Sequence, residues 1–290
     1  MTLENSNIER ARILLAEGKS EEALNLLEEI VQEDPESQFG WGYLGTAYLK
    51  LGKYAEALTA QDKALALGSS AAWIWADRAY VLQRLNRINE AIAACGRAVA
   101  LEPSHWDAHF RKASCLAQQQ KYKVALAEYD LALKYQPDST EALSSKGLAL
   151  AFAGKSTDAV IACQRATQMS PSSADLWRNL AVVLGMANRP GEALPVVEYA
   201  IAIDPDNADM WVLKAMLLAD SLRYSDAVMA VGQAQMLDPN NREAQALRPQ
   251  LEQAQQSGLM RVAKGRGRGS ARTIFDVASE FGRAVFQNLY

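Results

Sequence analysis

The chain has 290 residues, 49% apolar and 22% charged, with a formal net charge of −4. That is enough apolar material for a continuous core, and too little basic charge for an array that grips nucleic acid along its length. Three cysteines without paired spacing exclude a disulfide framework, and no apolar run approaches the ~18 residues that span a bilayer.

The first ten residues, MTLENSNIER, hold neither a basic stretch nor an apolar run of the secretory kind, so a cytoplasmic protein is expected. From there the sequence repeats. Prolines stand at 35, 103, 137, 171, 205 and 239; the last five are 34 residues apart and the first gap is twice that, with Ser69 where the missing proline would fall. A 34-residue period is that of a helix–turn–helix repeat. Seven units follow: 4–37, 38–71, 72–105, 106–139, 140–173, 174–207 and 208–241.

Each unit has a helical pattern. In the second, Trp41, Leu44, Gly45 and Tyr48 fall at i, i+3, i+4 and i+7, one face of an α-helix. KLGKY follows as a turn, with Gly52 suited to the left-handed backbone that ends a helix. Ala57, Gln61 and Ala64 then mark a second helix, and the unit-ending proline starts the connection to the next repeat. The small position of the first helix reads Ala11, Gly45, Ala79, Ala113, Gly147, Ala181 and Ala215. The first alanine of the second helix is unbroken: Ala23, Ala57, Ala91, Ala125, Ala159, Ala193 and Ala227. Small residues recur where two helices cross too closely for a larger side chain.

This pattern resembles the tetratricopeptide repeat family over residues 4–241. The resemblance implies an all-α fold, an α-solenoid of about seven 34-residue repeats wound into a right-handed superhelix. The ends depart from it. Asn7 takes the aromatic position of the first unit, as in a cap with a polar outer face. Residues 242–256 read as a capping helix with Leu247, Leu251 and Ala254 inward, broken or restarted at Pro249.

In the resembled family, the first helices of the repeats line a concave groove that holds peptides. Carried over position by position, the groove would present Phe39, Tyr43, Trp73, Asp77 and Tyr80, then Phe110 and Arg111, then Phe152, Arg178, Asn179, Met186 and Met216. Leu148, Val182, Val212 and Leu213 fall on the same positions, and Leu148, Val182 and Val212 fit equally well between neighbouring units, because a one-residue phase error moves a side chain to another face. The Lys/Asn set with which some members grip a C-terminal carboxylate is absent from any three consecutive units. An aromatic, Met-bearing groove suits an amphipathic helix or an extended apolar peptide. Asp107, Glu141, Asp175 and Asp209 sit at helix N-termini, where the backbone favours a carboxylate, and read as structural.

Catalytic chemistry is not legible. The only histidines, His105 and His109, are four apart, but His109 occupies the aromatic core position and no third metal ligand is near in sequence. Cys95, Cys115 and Cys163 read as small buried side chains. No nucleophile elbow, phosphate loop or paired carboxylates stand on a loop, so neither an enzyme nor a cofactor or metal is expected.

The last part of the chain is different. Residues 257–290 carry six Lys/Arg against two acids, which leaves 24 of the 30 basic and 32 of the 34 acidic residues for 1–256. A basic tail thus follows an acidic body. Residues 257–272 contain KGRGRGS, too glycine-rich for a helix interior, and read as a linker. In 273–290, Ile274, Val277, Phe281, Val285 and Leu289 form one stripe with polar residues opposite, the pattern of an amphipathic helix. Its partner is the chain's own groove or a neighbouring protomer's, an unrelated protein, or a membrane surface. Two functions are therefore expected: a non-catalytic scaffold that binds protein partners through groove and tail, or an assembly or regulatory factor whose tail fills a groove of its own kind.

Overall fold

The computed structural model describes residues 3–263, and every regular element there is an α-helix. The chain divides into two compact units after Pro137. The first holds α1 (Leu3–Ala16), α2 (Ser20–Glu33), α3 (Gln38–Lys50), α4 (Tyr54–Ala66), α5 (Ala72–Arg84), α6 (Ile88–Leu101), α7 (Trp106–Gln118) and α8 (Tyr122–Tyr135). The second holds α9 (Thr140–Phe152), α10 (Ser156–Met169), α11 (Ala174–Met186), α12 (Pro190–Ile203), α13 (Ala208–Asp220), α14 (Tyr224–Leu237) and α15 (Arg242–Ala263). Within each unit, consecutive helices pack on one another, and each first helix of a repeat also meets the first helix of the next. The chain is an all-α array of helix–turn–helix repeats of the solenoid class.

The turn inside each repeat is built at one position. Gly18, Gly52, Asn86, Gln120, Gly154, Asn188 and Leu222 all have positive φ, between +57° and +79°. They are 34 residues apart and each ends a first helix, as the sequence anticipates for Gly52. The next N–H bonds back across this residue, as when Lys53 donates to the Tyr48 carbonyl and Arg223 to that of Leu218. The start of the first helix is capped in most repeats, though not at Ala71 or Ser173. Ser37, His105, Ser139, Asn207 and Asn241 accept a backbone N–H of the helix that follows them, satisfying a donor that the helix leaves free.

A third device ties the linking proline to the helix after it. The indole N–H of Trp41, Trp177 and Trp211 donates to the carbonyl of the proline six residues before, at 2.9, 2.8 and 3.2 Å. Gln245 makes the same bond to Pro239 at 2.8 Å, and His109 Nε2 lies 3.1 Å from the Pro103 carbonyl. Leu143 of the fifth repeat supplies bulk alone, whereas in these repeats the aromatic position supplies a donor as well. That explains how a histidine serves where tryptophan is usual.

The small positions are buried as their spacing predicts: all seven first alanines of the second helices have no exposed surface. A Cβ on Gly147 would come 2.3 Å from Cys163 Sγ, so the crossing of α9 and α10 admits no side chain there. The cap differs from expectation. The helix runs unbroken through Pro249 to Ala263, with Leu247 and Leu251 buried and Pro249 exposed, so water can reach the carbonyl that proline leaves unpaired. The first part of the expected linker, 257–263, is thus helical. The remainder, 264–272, and the tail 273–290 with Ile274, Val277, Phe281, Val285 and Leu289 lie outside the described residues.

Candidate peptide-binding face

In the first unit, the predicted groove residues of α3, α5 and α7 come together. Phe39, in the first turn of α3, is 53% exposed. One turn on, the ring of Tyr43 stacks on Trp73 of α5, with centroids 4.7 Å apart and planes at 22°. Gly42 makes this approach feasible: a Cβ there would meet the Trp73 ring at 2.8 Å. Trp73, Asp77 and Tyr80 are spaced four and three along α5 and share its face.

Asp77 lies in the middle of that face. Its carboxylate accepts a hydrogen bond from the Thr46 hydroxyl of α3 at 2.5 Å. Burial pushes the Asp77 carboxyl above the ordinary aspartate value, more than the Thr46 hydrogen bond and the positive charges of Arg111 and Lys50 pull it down. Arg111 of α7 covers the Tyr80 ring, 4.4 Å from its centre, and is held from its own helix by Asp107 at 2.7 Å. At the other end, burial raises the Tyr43 hydroxyl, partly offset by Arg12, which is itself paired with Glu9. The result is a continuous half-buried surface of aromatic rings and alternating charge. Among the described residues, no group of three or more His, Cys, Asp or Glu could hold a metal.

Not every predicted residue lies on such a surface. Phe110 is 3% exposed and turns into the first unit, its ring tilted against Tyr129 of α8 at 6.0 Å. It stands one residue before Arg111, and the roughly 100° step per residue carries it from the face to the core. In the second unit Met216 is 2% exposed, packed within α13's buried face. Asn179 is 4% exposed, and its amide donates to Ser144 Oγ of α9 at 3.0 Å, so it joins two first helices. Leu148, Val182 and Val212 are buried too, which selects the packing alternative for them, and Leu213, expected in the groove, is buried among them instead. Phe152, Arg178 and Met186 remain half-buried; Arg178 pairs with Asp175 at 3.0 Å. Thr46 and Asp107 belong to the face although sequence reasoning did not assign them to it. Asp107 is legible afterwards as the residue four before Arg111.

Other ion pairs hold successive repeats together. Arg78 reaches Asp62 at 2.8 Å and Lys214 reaches Glu198 at 2.9 Å, in each case from a first helix to the second helix of the repeat before. Inside the fourth repeat, Glu128 receives both Lys112 at 2.6 Å and His109 Nδ1 at 2.7 Å. Cys95 and Cys115 are both fully buried in one cluster, and burial raises both thiols, that of Cys115 to about 12, so neither is a thiolate at neutral pH.

Comparison with known families and structures agrees with the repeat architecture. The family described as tetratricopeptide repeat matches residues 8–72 and 76–142, and the family of the Psidin N-terminal TPR repeats region matches 114–243. No curated protein matches the chain. Among solved structures, a tetratricopeptide repeat protein from Parabacteroides merdae is similar at a TM-score of 0.67 and 18% identity, covering 86% of this chain and 98% of its own. PilF of Pseudomonas aeruginosa is similar at 0.61 and 19%, over 74% and 98%. The APC/C hetero-tetramer Cut9–Hcn1 gives 0.72 and 16%, over 83% and 48%. At such identities these likenesses speak to fold alone. With the 34-residue grid, the left-handed turn residue and the small crossing positions in one register, and the matched families spanning the repeats, the chain belongs to the tetratricopeptide repeat family.

Proposed function

We propose that the protein is a non-catalytic protein–protein interaction scaffold, and that the first-helix face of α3, α5 and α7 holds a peptide or amphipathic helix from a partner. The observation that carries this reading is the stack of Tyr43 on Trp73 beside Asp77. Consensus positions of the repeat account for the core without these three side chains. Their half-buried rings and alternating charges form the kind of surface that recognises a peptide by shape and by a few placed polar contacts. In the superhelix expected of the family, this face lines the groove. Phe39, Tyr43, Trp73, Asp77, Tyr80 and Arg111 are its contact residues; Phe152, Arg178 and Met186 are the groove positions of the second unit that stay half-buried.

The tail, with its Ile274–Val277–Phe281–Val285–Leu289 stripe in the sequence, acts as a second binding element on a protein partner. Its occupation of a groove in the same or a neighbouring protomer, or its attachment to a membrane, is the alternative for an assembly or regulatory factor. No described helix is long and apolar enough to cross a membrane. We place the protein in the cytoplasm.

The test is a photo-cross-linking amino acid placed at Phe39 of the full chain, with the cross-linked partner segment mapped by mass spectrometry. One dominant partner peptide, lost when Tyr43→Glu is added and absent when the cross-linker stands at Ile161 on α10, supports the reading. Equal capture from both sites, or capture indifferent to Tyr43→Glu, removes it.

A further inference from the structure

The chemistry of the Asp77 surroundings narrows what the α3–α5–α7 face takes, on the reading that this face binds peptide. Asp77 presents a carboxylate with several acceptor directions, and Thr46 supplies one hydroxyl to it. Two cations of the row are held elsewhere, Arg111 by Asp107 and the Tyr80 ring, Arg12 by Glu9, and Lys50 adds only its positive charge to the surroundings of Asp77. One helical turn before Asp77 on the same face of α5 stands Trp73, its ring stacked with Tyr43. A planar cation that stacks on an aromatic face while its edge donates to a carboxylate fits both features, and among side chains that is the guanidinium. Arg111 on Tyr80 with Asp107 shows the same arrangement already made once in this row.

We propose that Tyr43, Trp73 and Asp77 receive an arginine side chain, and that the occupant is segment 264–272 of a second copy of this chain. That segment carries Arg266, Arg268 and Arg272 with glycine on both sides of the first two. Glycine leaves the peptide backbone free to approach a helix face closely. Charge points the same way: residues 257–290 hold six basic residues against two acids, whereas the remaining residues hold 24 against 32.

The experiment uses the full chain carrying Arg266→Gln, Arg268→Gln and Arg272→Gln, titrated with a labelled peptide of residues 263–272 at ~0.15 M ionic strength, where diffuse attraction is screened. Saturable binding is expected. Adding Asp77→Asn weakens it by about tenfold or more, because a charge-assisted bidentate pair becomes a neutral contact. A peptide with Lys for each Arg binds more weakly, and the chain with its native arginines binds the added peptide less well because the same segment of neighbouring copies competes. Asp77→Asn retains an oxygen for Thr46 and the same volume, and a thermal melt no lower than that of the parent separates lost recognition from lost folding. Absence of saturation, indifference to Asp77→Asn, equal binding of the Lys peptide, or equal binding by both chains overturns the proposal. If the peptide fails while the Phe39 cross-link still captures a partner in a Tyr43-dependent way, the arginine occupant falls and the binding face stands.

Discussion

Trp177 donates its indole N–H to the Pro171 carbonyl at 2.8 Å, six residues back across the start of α11. The bond fastens the linking segment to the helix it introduces, and it recurs from other donors at Pro35, Pro103, Pro205 and Pro239. Trp177→Phe keeps the ring and removes the donor. Because the carbonyl stays accessible to water, the expected cost is about 0.5–1 kcal/mol, read as a lower urea midpoint with an unchanged slope.

Gln61 is fully buried between α3 and α4, and neither atom of its amide meets a protein hydrogen-bond partner. Leu27 occupies the corresponding place in the first repeat, against Ala11 rather than the smaller Gly45. Gln61→Leu should therefore stabilise the protein by about 1 kcal/mol, the usual size of a lost buried-amide penalty. An unchanged or lower melting temperature would show that the amide is satisfied in solution.

Leu222 holds φ at +61° and is 64% exposed, in the place where three other repeats use glycine. A leucine there strains its Cβ against the backbone and earns little packing in return. Leu222→Gly is expected to stabilise by about 0.5–1 kcal/mol, the left-handed strain less the added chain entropy of glycine. The same exchange at Leu217, buried on the adjoining helix, should be strongly destabilising and serves as its control.

Glu128 links α7 to α8. Burial alone would raise its carboxyl, but hydrogen bonds from Lys112 and His109 outweigh that and hold it below the ordinary glutamate value. A depressed carboxyl contributes stability above its unfolded value, lost as pH falls through the folded one. Glu128→Gln should cost about 1–3 kcal/mol at pH 7, where a charged group's hydrogen bonds are lost. The gap between variant and parent should close below pH ~4.

Asp77 has the opposite sign. Its raised carboxyl makes the folded state lose stability as pH rises from the ordinary aspartate value toward the raised one. Asp77→Asn should remove that slope and melt no lower than the parent at neutral pH. A side chain whose neutralisation stabilises the free protein is retained for something other than folding. A variant that melts well below the parent at pH 7 would show Asp77 to be structural.

The sequence made the repeat legible because its strongest constraints are steric and strictly periodic: Ala23 and its six counterparts, Gly147 against Cys163, and Gly52 at the turn. The face was harder. Tyr43, Asp77 and Arg111 stand at one repeat position and Phe110 at the position before it, so a single step of helix phase separates a surface ring from a core ring. Asn179 shares the position of Tyr43, yet Ser144 on the neighbouring helix offers it a hydroxyl and draws it inward. Such differences depend on the neighbour one repeat away, which a pattern within a repeat does not contain.

The left-handed residue that closes every first helix also governs how this array can change length. Removing the residues from just after one such position up to and including the next deletes one whole period and leaves every cap, crossing and proline tie with a partner of the same kind. Removing a single residue inside a helix turns everything after it by about 100° and sets small positions against large ones. Heritable growth or shortening of such a chain is therefore quantised, and 34 residues is the step.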